Sequence, residues 1–242
     1  MNKSEAKFPR GDCPIYNFGP DDRSAPLVLF FPDAFGPRPE AFAVAEDIAA
    51  AGWRVQMFDQ FYDHIPYQPL VPKSLFEGGP ERERVMQMVM SINMAKVDED
   101  VAAMLALAEA NSAPDAPFAA VGYCMGGRYA LAAVTASPRV KFAGAFHASN
   151  IAPAQGDSPH QRFAGVTGRI YIGVAGIDPT YGAQEHGRMA QALRDADTDH
   201  IIETYHGMGH GWVYPDLAIY NADGAAKHVR RIKEHFAEVI AT

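Results

Sequence analysis

The chain is poor in cysteine, in positive charge and in long apolar runs, and each shortage removes a class of protein. It has two cysteines, Cys13 and Cys124, in 242 residues. A disulfide-dense secreted scaffold needs more, and two thiols fit a reducing cytoplasm. Basic residues number 21 against 29 acidic ones, for a formal net charge of −8. An acidic chain suits neither nucleic acid nor an anionic membrane surface, so neither is expected as a partner. No apolar run approaches the length of about 20 residues that a membrane-spanning helix needs. Residues Met1 to Arg10 lack the apolar core of a secretory leader, so none is expected. The expectation is a cytoplasmic protein, a monomer or a homodimer, with no cofactor.

What remains is ordinary globular material, with 48% hydrophobic and 21% charged residues. Residues 1–25 are polar and broken by Pro9, Gly11, Pro14, Gly19 and Pro20. They read as an N-terminal extension with a short edge strand at Ile15–Phe18, ahead of one domain over 26–242. Leu27–Phe31 is continuously apolar, the mark of a strand buried on both faces. Further strands are expected at 53–58, 118–123, 140–146, 170–174 and 201–205. Helical periodicity runs from Pro39 to Gly52, over 81–95 and 97–110, and again over 128–136, 184–195 and 224–240. The stretch 59–80 is rich in proline and reads as a long loop. Met86, Met88, Met90 and Met94 are expected as gap-filling core residues. Strand alternating with helix predicts a single α/β domain, its mostly parallel sheet covered by helices on both faces.

One stretch carries chemistry. Ala119-Ala120-Val121-Gly122-Tyr123-Cys124-Met125-Gly126-Gly127-Arg128 is a strand, an abrupt turn and a helix start. The pattern is that of a nucleophile elbow with a thiol at its centre. Side chains at Gly122 or Gly126 would collide with neighbouring backbone in so tight a turn. Small residues around a cysteine also occur in plain strand–helix junctions, so partners must be sought.

In open α/β sheets, ligands bind beyond the carboxyl ends of the strands. Three reactive side chains fall there: Cys124, Asp178 and His210. Singly, Asp178 reads equally well as a helix cap before Pro179, and His210 as a turn residue between two glycines. Together they follow the order nucleophile, acid, histidine of the α/β-hydrolase triad. His206 and His210 form an H-x-x-x-H pair, but the glycines at 207, 209 and 211 oppose the helix a zinc site would need. No metal is expected.

Gly122-Tyr123-Cys124-Met125-Gly126-Gly127, Asp178 after its strand, and Gly209-His210-Gly211-Trp212 resemble the dienelactone hydrolase family. Pro32-Asp33-Ala34-Phe35-Gly36 and Asp59-Gln60-Phe61-Tyr62 resemble two more of its motifs, and the likeness covers about residues 26–238. The resemblance implies an α/β-hydrolase fold and hydrolysis of a small-molecule ester or lactone through a thioester acyl-enzyme. Cys124 would be nucleophile, His210 base and Asp178 the residue that orients it. Backbone N–H groups of Met125 and Ala34 would form the oxyanion hole. Asp33 stands where the family holds its resting thiol with an acid, or else caps the helix at 39. Arg82 or Arg84 matches one of two family arginines that hold a substrate carboxylate, with at least one of the pair reading rather as part of a solvated charged helix face; the second family arginine has no counterpart after His210. Phe35, Tyr123, Trp212 and Tyr214 are expected around an aromatic mouth, and His147, after the strand at 140–146, either lines the pocket or, the better reading, is a satisfied strand-end histidine. The alternative is a non-catalytic or redox-sensing relative that binds a small molecule.

Overall fold

A computed structural model describes residues 1–67, 70–73 and 79–241. Eight strands form one sheet: β1 (Asn2–Phe8), β2 (Gly11–Phe18), β3 (Leu27–Phe31), β4 (Arg54–Phe58), β5 (Phe118–Tyr123), β6 (Val140–Phe146), β7 (Arg169–Ile177) and β8 (His200–Gly209). Their order is β1-β2-β4-β3-β5-β6-β7-β8. From β4 to β8 all neighbours are parallel, and β2 joins β4 antiparallel. The central strands read as continuous apolar runs because both faces are covered. β3 and β5 are buried at every position.

Among the described residues there are six α-helices: α1 (Pro39–Ala49), α2 (Pro80–Met90), α3 (Met94–Ala110), α4 (Gly126–Ala136), α5 (Ala183–Asp195) and α6 (Ala222–Ile240). α1 packs against α6, and α3 against α4. The chain leaves β3 toward β4 and leaves β5 toward β6, in opposite directions along the sheet. Right-handed crossovers therefore put α1 and α4 on opposite faces. The reversal between β3 and β5 opens a crevice at their carboxyl ends, where such folds bind ligands.

The amino-terminal residues are not an extension outside this sheet. β1 and β2 form a hairpin that becomes its edge, and the expected short strand at 15–18 is the second half of β2. Polar composition and Pro14 masked it, since a proline and an exposed edge both dilute the alternating pattern. The hairpin tip is tied down by Arg10, which donates to Asp63, to Glu99 and to both oxygens of buried Asp100. Of the long loop expected over 59–80, residues 68, 69 and 74–78 lie outside the described residues. Its described part includes a 3-10 turn at Tyr62–His64. Met88 and Met94 are core residues as expected, whereas Met86 and Met90 are exposed. Exposed Met90 is on the outer side of α2, where periodicity rather than residue type decides burial.

Candidate active site

Three strand ends meet in the crevice. Cys124 directly follows β5, Asp178 directly follows β7 and His210 directly follows β8. Cys124 has φ 53°, the left-handed region that non-glycine residues rarely adopt. Its surroundings impose that conformation. Cys124 N–H donates to the Phe146 carbonyl at 3.1 Å, and the Cys124 carbonyl accepts from Gly127 at 3.1 Å and Ser149 at 3.3 Å. A Cβ on Gly122 would stand 2.0 Å from the Gly126 carbonyl oxygen. Strain of this kind persists only where the surroundings over-determine it, and it marks sites of function.

The acid and the histidine form a fixed pair. His210 Nδ1 and Asp178 Oδ2 are 2.8 Å apart. The other carboxylate oxygen, Oδ1, accepts from Thr180 N at 2.8 Å and from Thr180 Oγ1 at 2.7 Å. Burial opposes ionisation of Asp178, but the His210 ring and the two Thr180 donors outweigh it and hold the carboxyl below its usual range. For His210, burial again opposes charge. Negative charge at Cys124 and the bond to Asp178 overcome it, and the imidazole is pushed up to about 10. Such an imidazole is a ready proton acceptor.

Above Cys124 lies a cavity of about 600 Å³. Ala34 and Met125 are on its wall. Their backbone N–H groups enter no hydrogen bond among the described residues. They sit at the ends of β3 and β5, adjacent parallel strands. Two free donors beside a thiol are what an oxyanion needs.

The chain matches the dienelactone hydrolase family over residues 14–240. It belongs to that family. It is a carboxylic ester or lactone hydrolase with the α/β-hydrolase fold. It is 24% identical over 201 residues to "Dienlactone hydrolase 2" of Gibberella moniliformis, spanning 80% of this chain and 68% of that one. A Synechocystis protein provisionally named carboxymethylenebutenolidase is 25% identical over 216 residues, 87% of this chain and 85% of that one. A crystal structure from Klebsiella pneumoniae, provisionally named a dienelactone hydrolase, superposes with TM-score 0.79 at 19% identity and covers 98% of each chain.

Several residues expected at this family member's site stand elsewhere. Asp33 is on the cavity wall, but its carboxylate belongs to Arg38, which donates to Oδ1 at 2.6 Å and to Oδ2 at 3.1 Å. Oδ1 also accepts the Phe35 N–H at 3.1 Å. No hydrogen bond joins Asp33 to the Cys124 thiol among the described residues, nor does Asp33 cap α1. It instead stiffens the turn that carries Ala34. Gln60 braces the same turn through the Asp33 carbonyl.

The arginines of α2 are off the cavity wall. Arg84 grips Glu81 one turn away at 2.6 and 2.9 Å, and Arg82 is exposed. α2 presents Val85, Met86 and Val89 to the cavity instead. Phe35 and His147 are on the wall. Tyr123, Trp212 and Tyr214 are not: all three are fully buried beneath it. Tyr123 hydroxyl meets His228 Nε2 at 3.1 Å, and Trp212 stacks on Tyr205. They form the floor on which the His147 ring rests, 5.1 Å from the Trp212 ring and 5.0 Å from that of His210. Large aromatics beside a catalytic motif are as ready to fill the core as to line a mouth.

Arg38, Thr180 and Arg128 were not anticipated. Nothing in sequence joins Arg38 to Asp33 and Asp216, the two carboxylates to which it donates hydrogen bonds. Arg128 lines the cavity, and its position four residues after Cys124 at a helix start was a readable signal. Among the described residues no cluster of three or more His, Cys, Asp or Glu side chains suits a metal ion, and no helix is long and apolar enough to cross a membrane.

Proposed function

We propose that this protein hydrolyses small carboxylic esters or lactones with Cys124 as nucleophile, through a thioester acyl-enzyme. The observation that carries the reading is the 2.8 Å pairing of His210 with Asp178 at strand ends beside a thiol held at φ 53°. His210 takes the Cys124 proton, and the sulfur attacks the acyl carbon. The carbonyl oxygen gains negative charge and is received by the N–H groups of Met125 and Ala34. The intermediate collapses as His210 returns its proton to the departing alcohol oxygen. The thioester is then attacked by water, whose proton passes to His210 and finally to the thiol. Asp178 keeps Nδ1 protonated, so that Nε2 faces the chemistry, and it stabilises the charged ring.

Support for a small substrate comes from the cavity itself. Its volume is about 600 Å³, and Phe35, Val85, Met86, Val89 and Leu217 give it an apolar wall. The test uses para-nitrophenyl acetate. The expected result is a burst of nitrophenol, an acetyl group on Cys124 by mass spectrometry, and loss of turnover by at least about a thousandfold in Cys124→Ala. Retained turnover in that variant, or acylation elsewhere, refutes the assignment.

A further inference from the structure

Besides Cys124, four side chains of the cavity wall can carry charge among the described residues: Asp33, Arg128, His147 and His210. Three are accounted for. Asp33 is neutralised by Arg38 through two hydrogen bonds. His147 is fully buried and held neutral by burial, with the His210 and His228 rings adding to the effect. His210 is paired with Asp178.

Arg128 is the remainder. Its Nε is buried with no hydrogen-bond partner. Nη1 reaches the Ile92 carbonyl at 3.5 Å, the outer limit of a hydrogen bond. No carboxylate pairs with it among the described residues, and burial lowers its proton affinity. A partly desolvated guanidinium without a counter-ion is an unfavourable arrangement. It is also a planar donor fork, matched to a carboxylate. It stands in the first turn of α4, immediately beyond the elbow.

We propose that Arg128 is the anion-binding, specificity-determining residue of this cavity. On the hydrolase reading above, its ligand is a carboxylate a few bonds from the scissile carbonyl of the substrate. Arg84, held by Glu81 off the wall, is not required for it.

The experiment compares two esters of equal acyl length, the anionic para-nitrophenyl hydrogen glutarate and the neutral para-nitrophenyl pentanoate. Arg128→Gln lowers the anionic-to-neutral ratio of kcat/KM by about ten- to a hundredfold, the range for a hydrogen bond to a charged group. Arg128→Lys restores part of it. A ratio that stays at the wild-type value overturns the proposal. A second measurement needs no turnover. Cys124 is alkylated with iodoacetate and with iodoacetamide, which differ in charge. The ratio of the two rates falls in Arg128→Gln if the proposal holds, and stays constant if it does not. Should that variant fail to fold, the wild-type protein still decides. Glutarate protects Cys124 from iodoacetamide and its neutral diamide does not; protection by both or by neither overturns the proposal. If wild type turns over neither ester, the hydrolase reading fails, and the alkylation ratio continues to test Arg128.

Discussion

Asp178→Asn changes one atom and should disable the site. The reason lies on the far side of the carboxylate. Oδ1 accepts two hydrogen bonds, from Thr180 N and Thr180 Oγ1. An asparagine keeps its carbonyl oxygen there, because both partners are donors. Its NH₂ then faces His210 Nδ1, where Oδ2 now lies at 2.8 Å. Two donors cannot share that contact, so the ring turns acceptor at Nδ1 and carries its proton on Nε2. That tautomer cannot take a proton from the thiol. The variant loses a hydrogen bond to a charged group, about 1.5–3 kcal/mol, or roughly ten- to 150-fold. The wrong tautomer adds to this, and in a serine triad the same change costs about 10⁴ in kcat. A thiol is a better nucleophile than a hydroxyl, so the expected fall lies between about 10² and 10⁴. Asp178→Ala gives a sharper comparison. Thr180 Oγ1 lies 3.3 Å from His210 Nδ1 and can accept a hydrogen bond from its N–H when the carboxylate is gone. The alanine variant should therefore be no slower than the isosteric asparagine. The assay is kcat for para-nitrophenyl acetate, with the His210 tautomer read by nitrogen NMR. An asparagine variant within tenfold of wild type, or clearly faster than alanine, refutes the argument.

Gly122→Ala should destabilise the protein by at least about 2–3 kcal/mol, since the added methyl would meet the backbone oxygen of Gly126 at 2.0 Å. Gly187→Ala on exposed helix α5 meets nothing within 4 Å and should stabilise by up to about 1 kcal/mol. Thermal denaturation of the pair checks both signs, and a neutral Gly122→Ala contradicts the reading of the elbow. Acid should also act through the buried histidines. His228 is fully buried, bonded to Ala225 and Tyr123, and its burial depresses its pKa to about 3. A depressed folded value means full stability above the unfolded value of about 6.5, lost as pH falls toward 3. From pH 7 to pH 5 this one group removes roughly 2 kcal/mol. Urea unfolding at both values should show a smaller difference in His228→Gln by about that amount; an unchanged difference refutes it.

The sequence by itself determined the sheet-and-helix alternation, the elbow and the chain order of Cys124, Asp178 and His210. These are legible because they are set by local rules. A buried parallel strand must be apolar, a tight turn must have glycine, and a strand end in such a sheet must face the crevice. Tertiary structure alone decided the partners of the long side chains. Arg38 and Arg84 differ little as sequence, yet one is buried against Asp33 and Asp216 while the other pairs with Glu81 on its own helix. An arginine's reach spans several elements, so its counter-ion depends on which elements come together. The same holds for the aromatics. Trp212 and Tyr214 follow the histidine in sequence but are fully buried against Tyr205 and Tyr123, while Leu217 of the same loop reaches the cavity wall. Arg128 shows both kinds of information at once. Its spacing from Cys124 is local, but its burial with no carboxylate partner among the described residues is a property of the packed molecule.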